Sequence, residues 1–355
     1  MAGLRWIRAG RKEEHEKWTS THIGGSTSMP LTEEGIIAVP GLHSRWVRLA
    51  SGAKAHYVTS GEDGPAVVLL HGGIIGSSST AAWRYMAPFL GANGFRVFCP
   101  DQPGFGLTEG YEDAYLPNDA GHVDFLHEFT TALCLSRFHL AGNSMGSANT
   151  VNYVTAHPDR VISFALIAGP IGDLVPRETV AAHDYRPRGA KPNPWQFDGT
   201  ADSMRRMMEA IILDPSQITD DLVEMRTRSA NRHRAYYEAT HRARQGFGPQ
   251  DPDGQARMST KGRFDRIVIP GIYMYGAEDL LMPHDVLGHL QEDALPQVQF
   301  FYPEKTGHQG QTDQPELFNQ VFLEFFRDGK VAWETARVAG ISGRRDPNPR
   351  FVSIP

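Results

Sequence analysis

Apolar runs separated by polar stretches mark out the strands of this chain: Ala66-Val67-Val68-Leu69-Leu70, Arg96-Val97-Phe98-Cys99-Pro100-Asp101, Phe138-His139-Leu140-Ala141, Val161 to Ile167 and Ile269 to Tyr275. Uninterrupted runs of this kind are expected of strands buried on both faces of a sheet. Gln297 to Tyr302 alternates instead, as a strand nearer an edge does. Helical segments, Val123 to Leu135, Ser147 to His157 and Pro315 to Arg327, fall between or after these strands. Trp46 to Leu49 and Lys54 to Thr59 precede them as an antiparallel start. Alternation of strand and helix implies right-handed crossovers, hence an α/β fold with a doubly wound, mostly parallel sheet.

The strand pattern stops between Gly169 and Phe264. Ala201 to Ile212 and Thr219 to Arg244 read as helices, and Arg186 to Pro194 as a proline-rich loop. Residues 171–264 are therefore expected to be an inserted helical lid, dividing the core into 41–170 and 265–330. Met204, Met207 and Met208 recur at helical spacing in it, which suits core packing first and an apolar pocket second. Phe247-Gly248-Pro249 begins a return to the core. Residues 1–40 read as an arm whose Trp6 and Trp18 suggest docking, and 331–355 as a tail, extended on the surface, strapping a second subunit, or disordered. No internal repeat is evident.

The chemistry gathers at the ends of the predicted strands. Gly142-Asn143-Ser144-Met145-Gly146 lies between an apolar run and a helical one, the setting in which G-x-S-x-G makes a sharp turn that holds out a serine. Upstream, His71-Gly72-Gly73-Ile74 follows a buried strand, so the Gly73 amide can face an oxyanion together with that of Met145, the residue after the serine. A serine hydroxyl needs a base, and the base an orienting carboxylate. Asp279, with Glu278 as its local rival, ends one late strand, and His308 follows the next. Ser144, Asp279 and His308 are thus the expected triad.

These residues resemble the α/β-hydrolase superfamily and, within it, the serine hydrolases of meta-cleavage products, which break a carbon–carbon bond in ring-opened aromatic compounds. The resemblance runs over about residues 40–330 and includes the Asn-Ser-Met-Gly elbow and the His-Gly-Gly turn. It also includes Ile218 to Arg226, which looks like the family segment that ends in a substrate-binding arginine. The resemblance implies that Arg226 grips a substrate carboxylate, with Asn143 and Gln309 also at the pocket. The chain departs from the family at Gln309, where a tryptophan is usual, and at Ser77 to Ala82, where an asparagine is usual. A carboxylesterase or lactonase on the same triad is the alternative. A non-catalytic homologue would have lost a triad member, and haloalkane dehalogenase or epoxide hydrolase chemistry would need a carboxylate at position 144.

Composition narrows the setting. A net charge of -6 gives no reason to expect nucleic acid or an anionic membrane as partner. No apolar run approaches the ~20 residues that cross a bilayer, and the charged start of the chain is not a secretory signal. Two cysteines, Cys99 in a strand and Cys134 in a helix, are expected to be buried thiols of a cytoplasmic enzyme. No phosphate loop or metal cluster appears, so no cofactor is expected. The expected partner is a small-molecule substrate, and two copies of the chain could pair through the lid or the terminal arms.

Overall fold

The computed structural model describes residues 30–175, 196–244 and 251–355. Most of the expected arm, the loop Arg186 to Pro194 and the turn Phe247-Gly248-Pro249 lie outside them. Eight strands form one sheet: β1 (His43–Arg48), β2 (Lys54–Ser60), β3 (Ala66–Leu70), β4 (Arg96–Pro100), β5 (Phe138–Asn143), β6 (Val161–Ile167), β7 (Gly271–Met274) and β8 (Gln299–Phe301). Their order is β1-β2-β4-β3-β5-β6-β7-β8. β2 pairs antiparallel with β1 and β4, and the neighbours from β4 to β8 are all parallel. Every residue of β3 and β5 is buried, as apolar runs covered on both faces require.

Chain order reverses where β3 lies between β4 and β5, and in such sheets the crevice outside the strands' carboxyl ends is where ligands bind. The turns after β3, β5 and β7 all open at that end of the sheet. Helix α1 (Asp119–Ala132) precedes β5, and helix α2 (Met145–Ala156) leaves it directly. Asn118 caps α1 by accepting the Gly121 N–H at 2.9 Å. Two apolar clusters fill the molecule, one including Val67, Leu69 and Trp83, the other Val68, Leu70 and Phe138. Adjacent residues of β3 thus serve opposite faces, as the two-residue period of a strand dictates.

Between β6 and β7 come helices α3 (Ala201–Glu209), α4 (Asp220–Arg232) and α5 (Arg234–Arg244). Thr200 and Thr219 cap the first two by accepting the N–H groups of Ser203 and Leu222. The single helix expected over Thr219 to Arg244 is interrupted at His233, whose ring is engaged by Tyr111 Oη at 2.8 Å and the Gly106 carbonyl at 3.0 Å. Met204, Met207 and Met208 are all buried, the core-packing role.

Two expectations are corrected. Cys134 is exposed, because helix α1 ends at Ala132 and Cys134 takes φ 55° in the turn beyond. Residues 331–355 are ordered on the body: β9 (Val331–Ala332) pairs parallel with β10 (Val352–Ser353), and Val331, Phe351 and Val352 are buried. Tyr302 N–H donates to Gly340 O at 2.7 Å and Ser342 N–H to Phe300 O at 3.0 Å, so this segment covers the open edge of β8.

Beneath the crevice lies a buried histidine–carboxylate pair. His56 Nδ1 is 2.6 Å from Asp101 Oδ2, and the carboxylate also accepts the N–H groups of Ser79 at 2.7 Å and Leu107 at 2.8 Å. Burial opposes the charge, but His56 and the backbone donors outweigh it and hold the Asp101 carboxyl well below its ordinary value. A depressed folded-state value contributes stability that is full above about pH 4 and is lost as the pH falls further. Asp101→Asn should therefore lower stability at neutral pH by about 3 kcal/mol and flatten the acid limb of the unfolding curve. Urea titrations from pH 3 to 7 would show this, and a parallel offset at every pH would refute the linkage.

Candidate active site

Ser144 sits between β5 and α2 at φ 56°, ψ −117°, a conformation costly for a residue with a side chain. Its N–H donates to Ile167 O at 2.8 Å, which fixes the turn to β6. The motif's glycines are there for close approach. A Cβ on Gly142 would fall 2.1 Å from the Gly146 backbone, and one on Gly146 would fall 2.2 Å from Leu70 O. Ser147 Oγ bridges the carbonyls of Gly142 and Ile167 at 2.6 and 3.0 Å, bracing the turn from within.

The turn after β3 lies against this elbow. A Cβ on Gly73 would stand 2.9 Å from Met145 Cβ, so the two backbones are side by side. Met145 opens α2, and the N–H groups of a helix's first turn have no intrahelical acceptor. His71 holds the base of the turn: its Nδ1 is 2.8 Å from Gly72 O, and its Nε2 accepts the Gln102 N–H at 3.0 Å. Burial lowers its pKa, which keeps the ring neutral, as that pair of bonds requires.

His308 and Asp279 meet from successive loops. His308 Nδ1 is 2.8 Å from Asp279 Oδ2, and both side chains are almost fully buried. The other carboxylate oxygen accepts the N–H groups of Leu281 and Met282, each at 2.9 Å. With Nδ1–H donated to the carboxylate, Nε2 is left as an acceptor, and it has no partner among the described residues. Glu278 is engaged elsewhere, accepting the Thr306 N–H at 2.9 Å. Asn143 turns toward the protein: its Nδ2 donates to His308 O at 2.9 Å and Ile167 O at 3.3 Å, tying the elbow to the histidine loop. Gln309 is buried beside His308, and its N–H donates to Ile211 O at 3.1 Å.

Arg226 lies on α4, 1% exposed, over the turn after β3. Its Nη2 reaches Ile75 O and Ser77 Oγ only at 3.4 Å each, and its Nε has no partner among the described residues. Of the acids of α4, Asp220 pairs with Arg205 and Glu224 with Arg228. Burial lowers the Arg226 pKa to about 10, with neighbouring Arg84 pushing the same way. A cation buried without a counter-ion is costly, and such sites are where charged ligands are received.

Sequence reasoning overlooked Tyr237, whose hydroxyl accepts the Gly76 N–H at 3.2 Å and whose electrostatics couple to Arg226. It stands three helical turns beyond Arg226, across the break at His233, so no single-helix periodicity links the two. Tyr273 was overlooked as well: its hydroxyl pairs with both the N–H and the carbonyl of Gly169, steadying the loop after β6. Among the described residues no group of three His, Cys, Asp or Glu side chains is arranged to hold a metal, and no helix is long and apolar enough to cross a membrane.

The chain is similar to several known proteins. A 2-hydroxy-6-oxononadienedioate/2-hydroxy-6-oxononatrienedioate hydrolase of Paraburkholderia phymatum is 28% identical over 290 residues, 79% of this chain and 95% of its own. The Escherichia coli enzyme of that name is 26% identical over 287 residues, again 79% and 95%. Among solved structures, a serine hydrolase involved in carbazole degradation superposes with a TM-score of 0.63 at 25% identity, covering 80% of this chain and 98% of its own. The α/β-hydrolase fold family matches residues 65–315, well over half of the 355. The chain belongs to the α/β-hydrolase fold family.

Proposed function

We propose that this protein is a serine hydrolase that cleaves a carbon–carbon bond in a ring-opened aromatic substrate, a vinylogous diketone bearing a carboxylate. The relatives named as hydrolases of 2-hydroxy-6-oxo dienedioates support this substrate class. The observation that carries it is Arg226, a buried cation without a counter-ion among the described residues, set beside the oxyanion turn. A carboxylate can pair with it through two N–H groups.

In this reading the insertion is a lid over the crevice, and the substrate's carboxylate end lies under it. The dienol is first ketonised, which places an electron sink next to the bond to be broken. His308 takes the Ser144 proton as the oxygen adds to the ketone, and the Gly73 and Met145 amides receive the oxyanion, each worth about 3 kcal/mol. Collapse breaks the carbon–carbon bond and releases a dienolate. The dienolate oxygen takes up the proton held by His308, giving the dienol acid, and water then hydrolyses the acyl group from Ser144. Asn143 serves the site as a brace of the histidine loop, and Gln309 as part of the wall under the lid. We place the enzyme in the cytoplasm, which the unpaired state of buried Cys99 and exposed Cys134 supports.

The test mixes the enzyme separately with a yellow ring-fission dienoate and a neutral aryl ester. Rapid bleaching of the dienoate with release of two acids is expected. Ester turnover with no cleavage of several dienoates would overturn the reading in favour of a carboxylesterase. Arg226→Ala should lower kcat/KM for the dienoate by about 100-fold, the loss of a charged hydrogen-bonded pair, and leave the neutral ester within threefold. Equal losses on both substrates would remove Arg226 from carboxylate binding.

A further inference from the structure

The loop that carries His308 is fastened to the helical insertion on both sides of the histidine. Before it, the Gly307 N–H donates to Asp313 Oδ2 at 2.8 Å. The other oxygen of that carboxylate accepts the N–H groups of Leu213 at 2.7 Å and Asp214 at 3.1 Å, both in the link between α3 and α4. After it, the Gln309 N–H donates to Ile211 O at 3.1 Å. One carboxylate thus collects donors from two segments far apart in sequence, and a fourth bond closes the loop around His308. Burial raises the Asp313 pKa although all three N–H groups favour its charge, so it is held in place at some cost.

His308 itself has no side-chain bond toward the elbow. Its Nε2 is without a partner among the described residues, so the reach of that nitrogen is set by where the backbone of the loop is held. The holders are Asp279 through Nδ1, Asn143 through the His308 carbonyl, and the insertion through Asp313. The first two belong to the core, whereas the hold through Asp313, together with the Gln309–Ile211 bond, depends on how the insertion sits. We propose that Asp313 is a positioning residue that couples the seating of the lid to the placement of His308. The base then reaches Ser144 in register when the lid lies over a bound substrate. The inference rests on the serine-hydrolase reading above.

Asp313→Asn keeps the side chain's shape, but its amide can present an acceptor to one segment only, so lid and histidine loop part. A 1 Å displacement of a catalytic group costs on the order of 100-fold, so kcat should fall about 10- to 100-fold with KM within twofold. The fall should be alike on dienoate and aryl ester, since the base serves both. Phosphonylation of Ser144 by a fluorophosphonate, which needs the base and expels fluoride but involves neither the dienolate nor Arg226, should slow by the same factor. A lower Tm with kcat and phosphonylation within twofold of the parent would overturn the inference, leaving Asp313 as a structural cap. If Asp313→Asn does not fold, amide exchange of the unaltered protein decides. The phosphonyl adduct on Ser144 should raise protection at Leu213 and Asp214, and unchanged protection there refutes the coupling. If Ser144→Ala keeps its activity, the serine-hydrolase reading fails; if only Asp313→Asn behaves as the parent, this inference alone fails.

Discussion

Ser144→Ala is expected to lower kcat on a ring-fission dienoate by about a millionfold while leaving the melting temperature unchanged. The size follows from what the hydroxyl does. With no nucleophile the remaining acid and base act on nothing, and removal of one such member costs about as much as removal of all three, roughly 10⁶ in kcat. The unchanged stability follows from the backbone. Alanine must adopt the same φ of 56° as serine, so the strain at the elbow stays. Ser144→Gly separates the two effects: it should be as inactive, but more stable by about 1 kcal/mol, because glycine takes that conformation freely. Single-turnover absorbance at the dienoate band and thermal melts of the three proteins provide the check. A Ser144→Ala enzyme retaining more than a hundredth of the parent rate would remove the serine from the reaction. An inactive Ser144→Gly that is less stable than the parent would instead disprove the strain.

What could be read in the sequence and what could not divide along one physical line. Local patterns were readable. Strands β3 and β6 lie within the bounds their apolar runs indicate, because residues buried on both faces must be apolar throughout. The elbow was readable for the same local reason, two glycines that no larger residue can replace around one serine. The late strands were drawn too long. β7 begins at Gly271 rather than Ile269, since Pro270 has no N–H to offer a ladder. Cys134 was placed in a helix because its neighbours are apolar, yet the chain turns through positive φ there. The tail was not legible, since Val331 and Phe351 meet only after the body is folded, and sequence does not tell which apolar residues of a short terminal segment will find an edge.

The charges at the site show the same division. Arg226 stood among Arg228, Arg232 and Arg234, and apart from the resemblance of Ile218 to Arg226 nothing in the local pattern distinguishes a buried arginine from exposed ones. Structure distinguishes it, since Asp220 and Glu224 pair with other arginines and Arg226 is left inside. Asp313 was overlooked because its partners are backbone N–H groups, which every residue but proline carries and which leave no mark in sequence, and Asp101 because it combines such groups with His56, 45 residues away.

Asp279→Asn should lower kcat by about 10⁴ with little change in KM, through the proton on His308 rather than through lost packing. Asp279 offers one oxygen to the Leu281 and Met282 N–H groups and the other to His308 Nδ1. An asparagine there has one acceptor and one donor end. Two fixed N–H donors take the oxygen, so the amide NH₂ must face His308 Nδ1. Nδ1 then becomes the acceptor and the ring proton moves to Nε2, the nitrogen that would have received the serine's proton. The base is thereby lost, although every heavy atom stays in place. Glu278→Gln is the control. Among the described residues the Glu278 carboxylate accepts the Thr306 N–H, which a glutamine oxygen can also receive, so kcat should stay within threefold. A pH profile of kcat/KM for Asp279→Asn should show part of the activity returning at alkaline pH, where hydroxide can take the place of the missing base. If Glu278→Gln proves as damaging as Asp279→Asn, the carboxylate that orients His308 has been assigned to the wrong neighbour.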